Sequence, residues 1–222
     1  MREGEVRPAG PLACHPLRPT PACRLESDLS QQRSEMTLSI PVDQERITRA
    51  FFHDMNRQLI TAHENGTVRR WDTETGKLLQ TEALHEKIIN DLKFSTDMTH
   101  FVTASTDKAA KLVDTDTFEV IKTYHTERPV NSADLSPILD HVVLGGGQDA
   151  SQVTTTSARA GKFESIFYHK VYAEQFGSVR GHFGPINTVA YHPDGRSFST
   201  GGEDGYVRLS VFDSDFWTTQ FF

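Results

Sequence analysis

Cysteine is close to absent from this chain. Of its 222 residues only Cys14 and Cys23 are cysteine, and both fall in the first 36 positions. Beyond them neither a disulfide framework nor a thiolate metal site is available. Long apolar runs are missing as well: nothing approaches the roughly 18 residues that a membrane-crossing helix needs, and no apolar stretch of the secretory-signal kind follows Met1. Nor is there a basic excess. Lys and Arg number 23 against 30 Asp and Glu, a formal net charge of −7, and the cations are scattered, which argues against a clustered basic face for a phosphate backbone. The ten His are dispersed and no HExxH spacing occurs, so metal-assisted or acid–base chemistry has no constellation to work with. These absences predict a cytoplasmic protein that is not an enzyme, needs no cofactor or metal, and contacts neither membrane nor nucleic acid directly.

Composition divides the chain in two. Residues 1–36 hold five of the ten Pro and no Lys, with five Arg balanced by five Asp and Glu, and they lack an apolar run long enough for a strand. The segment reads as a disordered Pro-rich tail. Met36 offers an internal start, or the tail is sequence joined to the body from elsewhere; either way it stands outside the fold. The negative charge therefore falls on residues 37–222.

That second part contains a degraded repeat. It reads AHENGTVRRWD at 62–72, ASTDKAAKLVD at 104–114 and GGEDGYVRL at 201–209. From Asn65 to Asp107 is 42 residues, and Trp71-Asp72 to Val113-Asp114 is again 42; a period near 40 marks a β-propeller blade. Asp107 to Asp204 is 97 residues, two periods with a surplus, and 150–178 carries no clear turn-and-strand signal, so a loop insertion is expected there. In the unit beginning near His85 the strands read IINDLKF (88–94), HFVTAS (100–105), AKLVD (110–114) and EVIKTYH (119–125), with turns between. Asn65-Gly66 and Asp204-Gly205 are expected to form hairpin turns with positive φ at both central positions. Gly145–Gly147 fits no phosphate-cradling strand–loop–helix and is read as a strand end that another backbone approaches closely. The apolar VFDSDFWTTQFF (211–222) is read as the outer strand of the last unit.

Gly181-His182 with Phe212-Asp213 downstream, and Trp71-Asp72 before Thr73-Glu74-Thr75-Gly76-Lys77, resemble WD-repeat propellers. The resemblance implies a His, Ser/Thr, Asp, Trp hydrogen-bond network inside each blade. It maps onto His85, Thr103 and Asp107 in one unit and His182, Thr200 and Asp204 in another. Trp71 has no clear upstream His, and Val113 and Ser210 stand where that family places Trp. The fold class expected is all-β, an incomplete WD-repeat propeller over 37–222. Seven blades need close to 300 residues, and the roughly 180 residues of repeat supply about four, which reads as a truncated product or partial gene.

Four segments carry a narrower likeness: ERPVNSADLSP (127–137), DHVVLGGGQDA (140–150), VTTTSARAGKFES (153–165) and RGHFGPINTVAYHPDGRSFSTGGEDGYVR (180–208). They resemble the I-subunit family of eukaryotic translation initiation factor 3, also described as transforming growth factor receptor-interacting proteins, over about 42–222 and corresponding to its C-terminal part. That resemblance implies a scaffold subunit that docks the B and G subunits and supports recruitment of mRNA and initiator tRNA to the 40S ribosomal subunit. It implies a B-subunit contact at Asp97, Leu112 and Asp114, two carboxylates flanking an apolar anchor suited to a basic amphipathic helix. Taken from the residues alone, Leu112 reads as core and the two acids as turn residues. Gln148 is a further candidate for a rim contact, with a loop amide bonding its own backbone as the plainer reading. A WD-repeat adaptor in receptor-kinase signalling or mRNP assembly is the alternative function; a propeller hydrolase would need convergent carboxylates or His that the sequence does not offer.

Overall fold

The computed structural model describes residues 45–147 and 163–218, all within the compact unit Val42–Phe222. The Pro-rich tail 1–36, Gln148 and the rest of 148–162, and 219–222 lie outside the described residues. Among the described residues fifteen strands form four antiparallel sheets, and one short helix follows the last strand. Sheet 1 contains β1 (Ile47–His53), β2 (Gln58–His63), β3 (Thr67–Asp72) and β4 (Leu78–Ala83) in chain order. Sheet 2 repeats that order with β5 (Ile89–Phe94), β6 (His100–Ser105), β7 (Ala109–Asp114) and β8 (Val120–His125). Sheet 3 does so again with β9 (Val130–Leu135), β10 (His141–Gly146), β11 (Glu164–His169) and β12 (Gln175–Arg180). Sheet 4 has three strands, β13 (Ile186–Tyr191), β14 (Ser197–Gly202) and β15 (Val207–Val211).

Alternation along the strands decides which sheet meets which. Ile60, Ala62 and Val68 of sheet 1 pack on Ile89, Leu92, Phe101 and Val113 of sheet 2. The opposite face of sheet 2, with Val102, Ala104, Leu112 and Tyr124, packs on Ala133, Val142, Leu144 and Tyr168 of sheet 3. Val143 and Phe167 then meet Ile186, Val189 and Phe198 of sheet 4. Because sheets 2 and 3 are covered on both faces, strands such as β6 are buried almost throughout, while the outer strand β4 is mostly exposed.

The first strands of the sheets are tied to one another by polar side chains. Arg49 Nε lies 2.9 Å from Asp91 Oδ1, Ser132 Oγ donates to Asp91, and the Val189 N–H donates to Ser132 Oγ at 3.2 Å. Asn90 Nδ2 donates to the Val130 carbonyl at 2.9 Å and Asn131 Nδ2 to the Ile186 carbonyl at 3.1 Å. Each link joins consecutive sheets, so the innermost strands hold their neighbours in register through groups that would be costly to leave unpaired.

Three expectations are corrected. The stretch 150–178 is not all insertion, because β11 and most of β12 lie inside it. Chain 211–218, the described part of 211–222, does not continue as an outer strand: β15 ends at Val211 and Ser214–Thr218 is helical. Asp213 Oδ1 caps that turn by accepting from the Phe216 N–H at 3.0 Å, and Phe216 stacks on Phe212 at 4.2 Å. Third, only the glycines of the two hairpins have positive φ, Gly66 at 85° and Gly205 at 78°. The Gly66 N–H bonds the His63 carbonyl and the Gly205 N–H that of Gly202, both at 3.2 Å. That is a type I turn followed by a left-handed residue, the usual three-residue hairpin.

Candidate interaction surface

Three of the four repeats carry a polar knot at the end of the second strand. In sheet 2, His85 Nε2 lies 2.8 Å from Thr103 Oγ1 and His85 Nδ1 lies 2.8 Å from Asp107 Oδ2. The other Asp107 oxygen accepts from the Ala109 N–H at 3.0 Å, which closes the turn. In sheet 4, His182 Nε2 is 2.8 Å from Thr200 Oγ1 and its Nδ1 2.9 Å from Asp204 Oδ1. Burial pushes the Asp107 and Asp204 carboxyls up, but bonds from the imidazole and backbone N–H groups outweigh it, holding Asp107 below its ordinary value and Asp204 at about 2. His85 is held below its ordinary value by burial, with Asp107 pulling partly the other way.

Sheet 1 builds a different knot. Trp71 Nε1 donates to Thr61 Oγ1 at 2.8 Å, and Thr61 Oγ1 lies 2.9 Å from Nε2 of the fully buried His63. His63 thus supplies, from within β2 itself, the imidazole that Trp71 lacks upstream. The sequence signal was available, a His two residues after the strand Thr.

The partner-contact residues fall partly together. Asp97 is in the β5–β6 turn, where Ser95 Oγ donates to it, and is exposed. These bonds, Ser95 foremost, hold its carboxyl at about 2. Asp114 ends β7 on the same edge, with Oδ1 accepting from the N–H groups of Asp116 at 3.0 Å and Thr117 at 2.9 Å. His100, paired with Asp114 across β6 and β7, has its Nδ1 3.9 Å from Asp97. Leu112 does not join them. It is 4% exposed and lies in the core between sheets 2 and 3, because its position in β7 faces Val102 and Tyr124. As an apolar anchor for a partner it is out of reach. Residues that sequence reasoning missed complete the edge: Asp140 and Lys170, paired at 2.8 Å, act electrostatically on His100 along with Asp97 and Asp114. Asp140 follows Thr99 by one repeat, which was the available signal.

The sequence profile of the family EIF3I matches residues 20–221. Eukaryotic translation initiation factor 3 subunit I of Nematostella vectensis is 51% identical over 201 residues, 90% of this chain and 63% of that protein. The same-named protein of Drosophila willistoni is 52% identical over 197 residues, 88% of this chain and 61% of its own length. This chain belongs to the EIF3I family. It spans about three fifths of the length of these family members. In fold it is similar to the computationally designed Ika4 protein, whose crystal structure gives a TM-score of 0.61 at 18% identity, over 79% of this chain and 96% of that one. Among the described residues of this EIF3I member, no group of three or more His, Cys, Asp or Glu is placed to hold a metal, and no helix is long and apolar enough to cross a membrane.

Proposed function

We propose that this chain is a non-catalytic scaffold subunit of the translation initiation factor 3 complex, cytoplasmic, supporting recruitment of mRNA and initiator tRNA to the 40S ribosomal subunit. The observation that carries this reading is the identity of about half the residues to initiation factor 3 I subunits across nine-tenths of the chain. The repeated sheets, three of them with a polar knot, support reading the fold as about four blades of a WD-repeat propeller. In such a fold the chemistry goes into fixing shape, and function resides in rims and turns.

Docking of the B subunit is assigned to the edge that carries Asp97 and Asp114, two carboxylates that are charged at neutral pH as aspartates ordinarily are. A basic helical segment complements it. The G subunit is the second expected partner, and Gln148 the candidate contact beside the glycine strand end. Pull-down with the B subunit tests the assignment. Asp114→Lys is expected to lower binding at least tenfold, while Asp72→Lys, which breaks the same turn cap in sheet 1, leaves it near wild type. Equal loss in both variants would mean that turn damage, and not the acidic edge, weakens binding. Binding of a receptor-kinase tail without either subunit would favour the adaptor reading.

A further inference from the structure

Sheet 1 and sheet 4 share a frame but not its filling. Thr61 pairs with Arg69 across β2 and β3, and Trp71 follows on the same face of β3. Thr200 pairs with Arg208 across β14 and β15 in the same way, and Ser210 occupies the place of Trp71. In sheet 1 the indole fills the space beside the threonine and is itself buried. In sheet 4 that space is a cavity of about 340 Å³ between sheets 3 and 4, lined by both Thr200 and Ser210. This lies within the size range of sites that take small organic groups, about 300–1,000 Å³. In sheet 2 the same position holds Val113, fully buried in one core cluster with Phe101 and Phe118.

We propose that this cavity receives a tryptophan side chain from a partner protein, with the indole N–H on Thr200 Oγ1 and the ring against the guanidinium of Arg208. Whichever way the hydrogen bond between His182 and Thr200 runs, the hydroxyl oxygen keeps a lone pair for a further donor, as Thr61 keeps one for Trp71. Arg208 lines the cavity; its Nη2 lies 4.0 Å from Asp204 Oδ2 and its Cζ 5.6 Å from the Tyr206 ring centroid, while its Nε has no hydrogen-bond partner among the described residues. A planar guanidinium in that position stacks on an aromatic face. No carboxylate lines the space, so the ammonium of free tryptophan would go unpaired, whereas a residue within a chain leaves its backbone outside. Leu209, which that backbone would meet beside the cavity, is 70% exposed.

The site stands independently of the initiation-factor reading. N-acetyl-tryptophanamide titrated into the full chain by calorimetry is expected to bind saturably, N-acetyl-alaninamide not at all, and the N1-methylated tryptophanamide at least fivefold more weakly. Ser210→Trp, which plugs the cavity from within, is expected to abolish binding without lowering the melting temperature; Ser210→Leu serves as the smaller plug if the first variant fails to fold. Equal heats for the tryptophan and alanine amides, or unchanged binding in the plugged variants, would overturn the site. Tighter binding of free tryptophan than of the blocked amide would overturn the partner-segment assignment, and undiminished binding of the N1-methyl compound the seat on Thr200.

Discussion

The carboxylates of Asp107 and Asp204 each close a hairpin with one hydrogen bond and clamp an imidazole with another, so one side chain fixes both a turn and the preceding loop. The imidazole then depends on the strand threonine for its second nitrogen. Replacing Thr103 by Val keeps the shape but leaves His85 Nε2, buried as it is, without its partner, a change expected to cost about 1–3 kcal/mol in urea unfolding. Asp107→Ala removes the acceptor for His85 and for the Ala109 N–H together, and should cost more than Thr103→Val. A smaller loss for the aspartate would show that the turn, and not the imidazole, is the weaker dependant. The same residues explain what the sequence made legible at this scale. His85, Thr103 and Asp107 lie at fixed spacing and meet as that spacing requires. Leu112 was ambiguous because a strand residue beside two turn acids gives no local sign of which face the neighbouring sheet covers.

At the scale of elements, the repeat motif is plain in sheets 1, 2 and 4 and concealed in sheet 3. Asp72 caps the turn after β3 and Asp114 the turn after β7, but after β11 the acceptor is His169, whose Nδ1 lies 3.2 Å and 3.3 Å from the N–H groups of Val171 and Tyr172. The left-handed position that Gly76 holds at φ 68° is taken by Phe118 at 61° and Ala173 at 58°. With neither Asp nor Gly to mark it, that hairpin looked like part of an insertion. Thr126 and Leu144 in sheet 3 also stand one repeat on from His85 and Thr103, so no knot of that kind announces it. The strand end at Gly145–Gly147 was legible, since nothing but close backbone approach suited it. A Cβ on Gly146 would lie 2.2 Å from the Pro129 carbonyl oxygen, and one on Gly145 would lie 2.6 Å from Val189 Cγ1. Gly146→Ala is therefore expected to destabilise by about 1–3 kcal/mol. Gly177→Ala, in β12 with nothing within 4 Å of the added methyl, should be neutral or stabilising by about 0.5 kcal/mol. Equal melting temperatures for the two variants would show that the close approach at Gly146 relaxes freely.

For the molecule as a whole, burial of imidazoles ties stability to pH. His63, His85 and His100 are held below their ordinary value chiefly by burial, and His141 is held at about 4, by burial first and then by the charge of His169. A histidine with a folded pKa below its unfolded one takes up its proton more readily when the chain is open. Its contribution is complete above about pH 6.5 and is lost as pH falls below that value. The depressed carboxylates Asp97 and Asp204 work in the same sense but at lower pH, between about 4 and 2. Asp134 has the opposite sign, because burial raises its pKa against the pull of Lys93; its contribution is present below about pH 4 and lost as pH rises through the folded value. As pH falls from 7 to 5 Asp134 opposes the imidazoles, because recovering its proton favours the folded chain. Four imidazoles against one carboxyl decide the direction, and the melting temperature at pH 5 is expected to be lower than at pH 7. His141→Leu, in a site bordered by the rings of Phe176 at 4.5 Å and Phe216 at 5.6 Å, removes the most strongly shifted of the four. It should reduce the stability difference between the two pH values by on the order of 1 kcal/mol once solvent screening is allowed for. A melting temperature that stays level or rises on acidification to pH 5, or a His141→Leu variant with the full wild-type pH dependence, would mean that the imidazoles between the sheets reach water more freely than their burial in the structure implies.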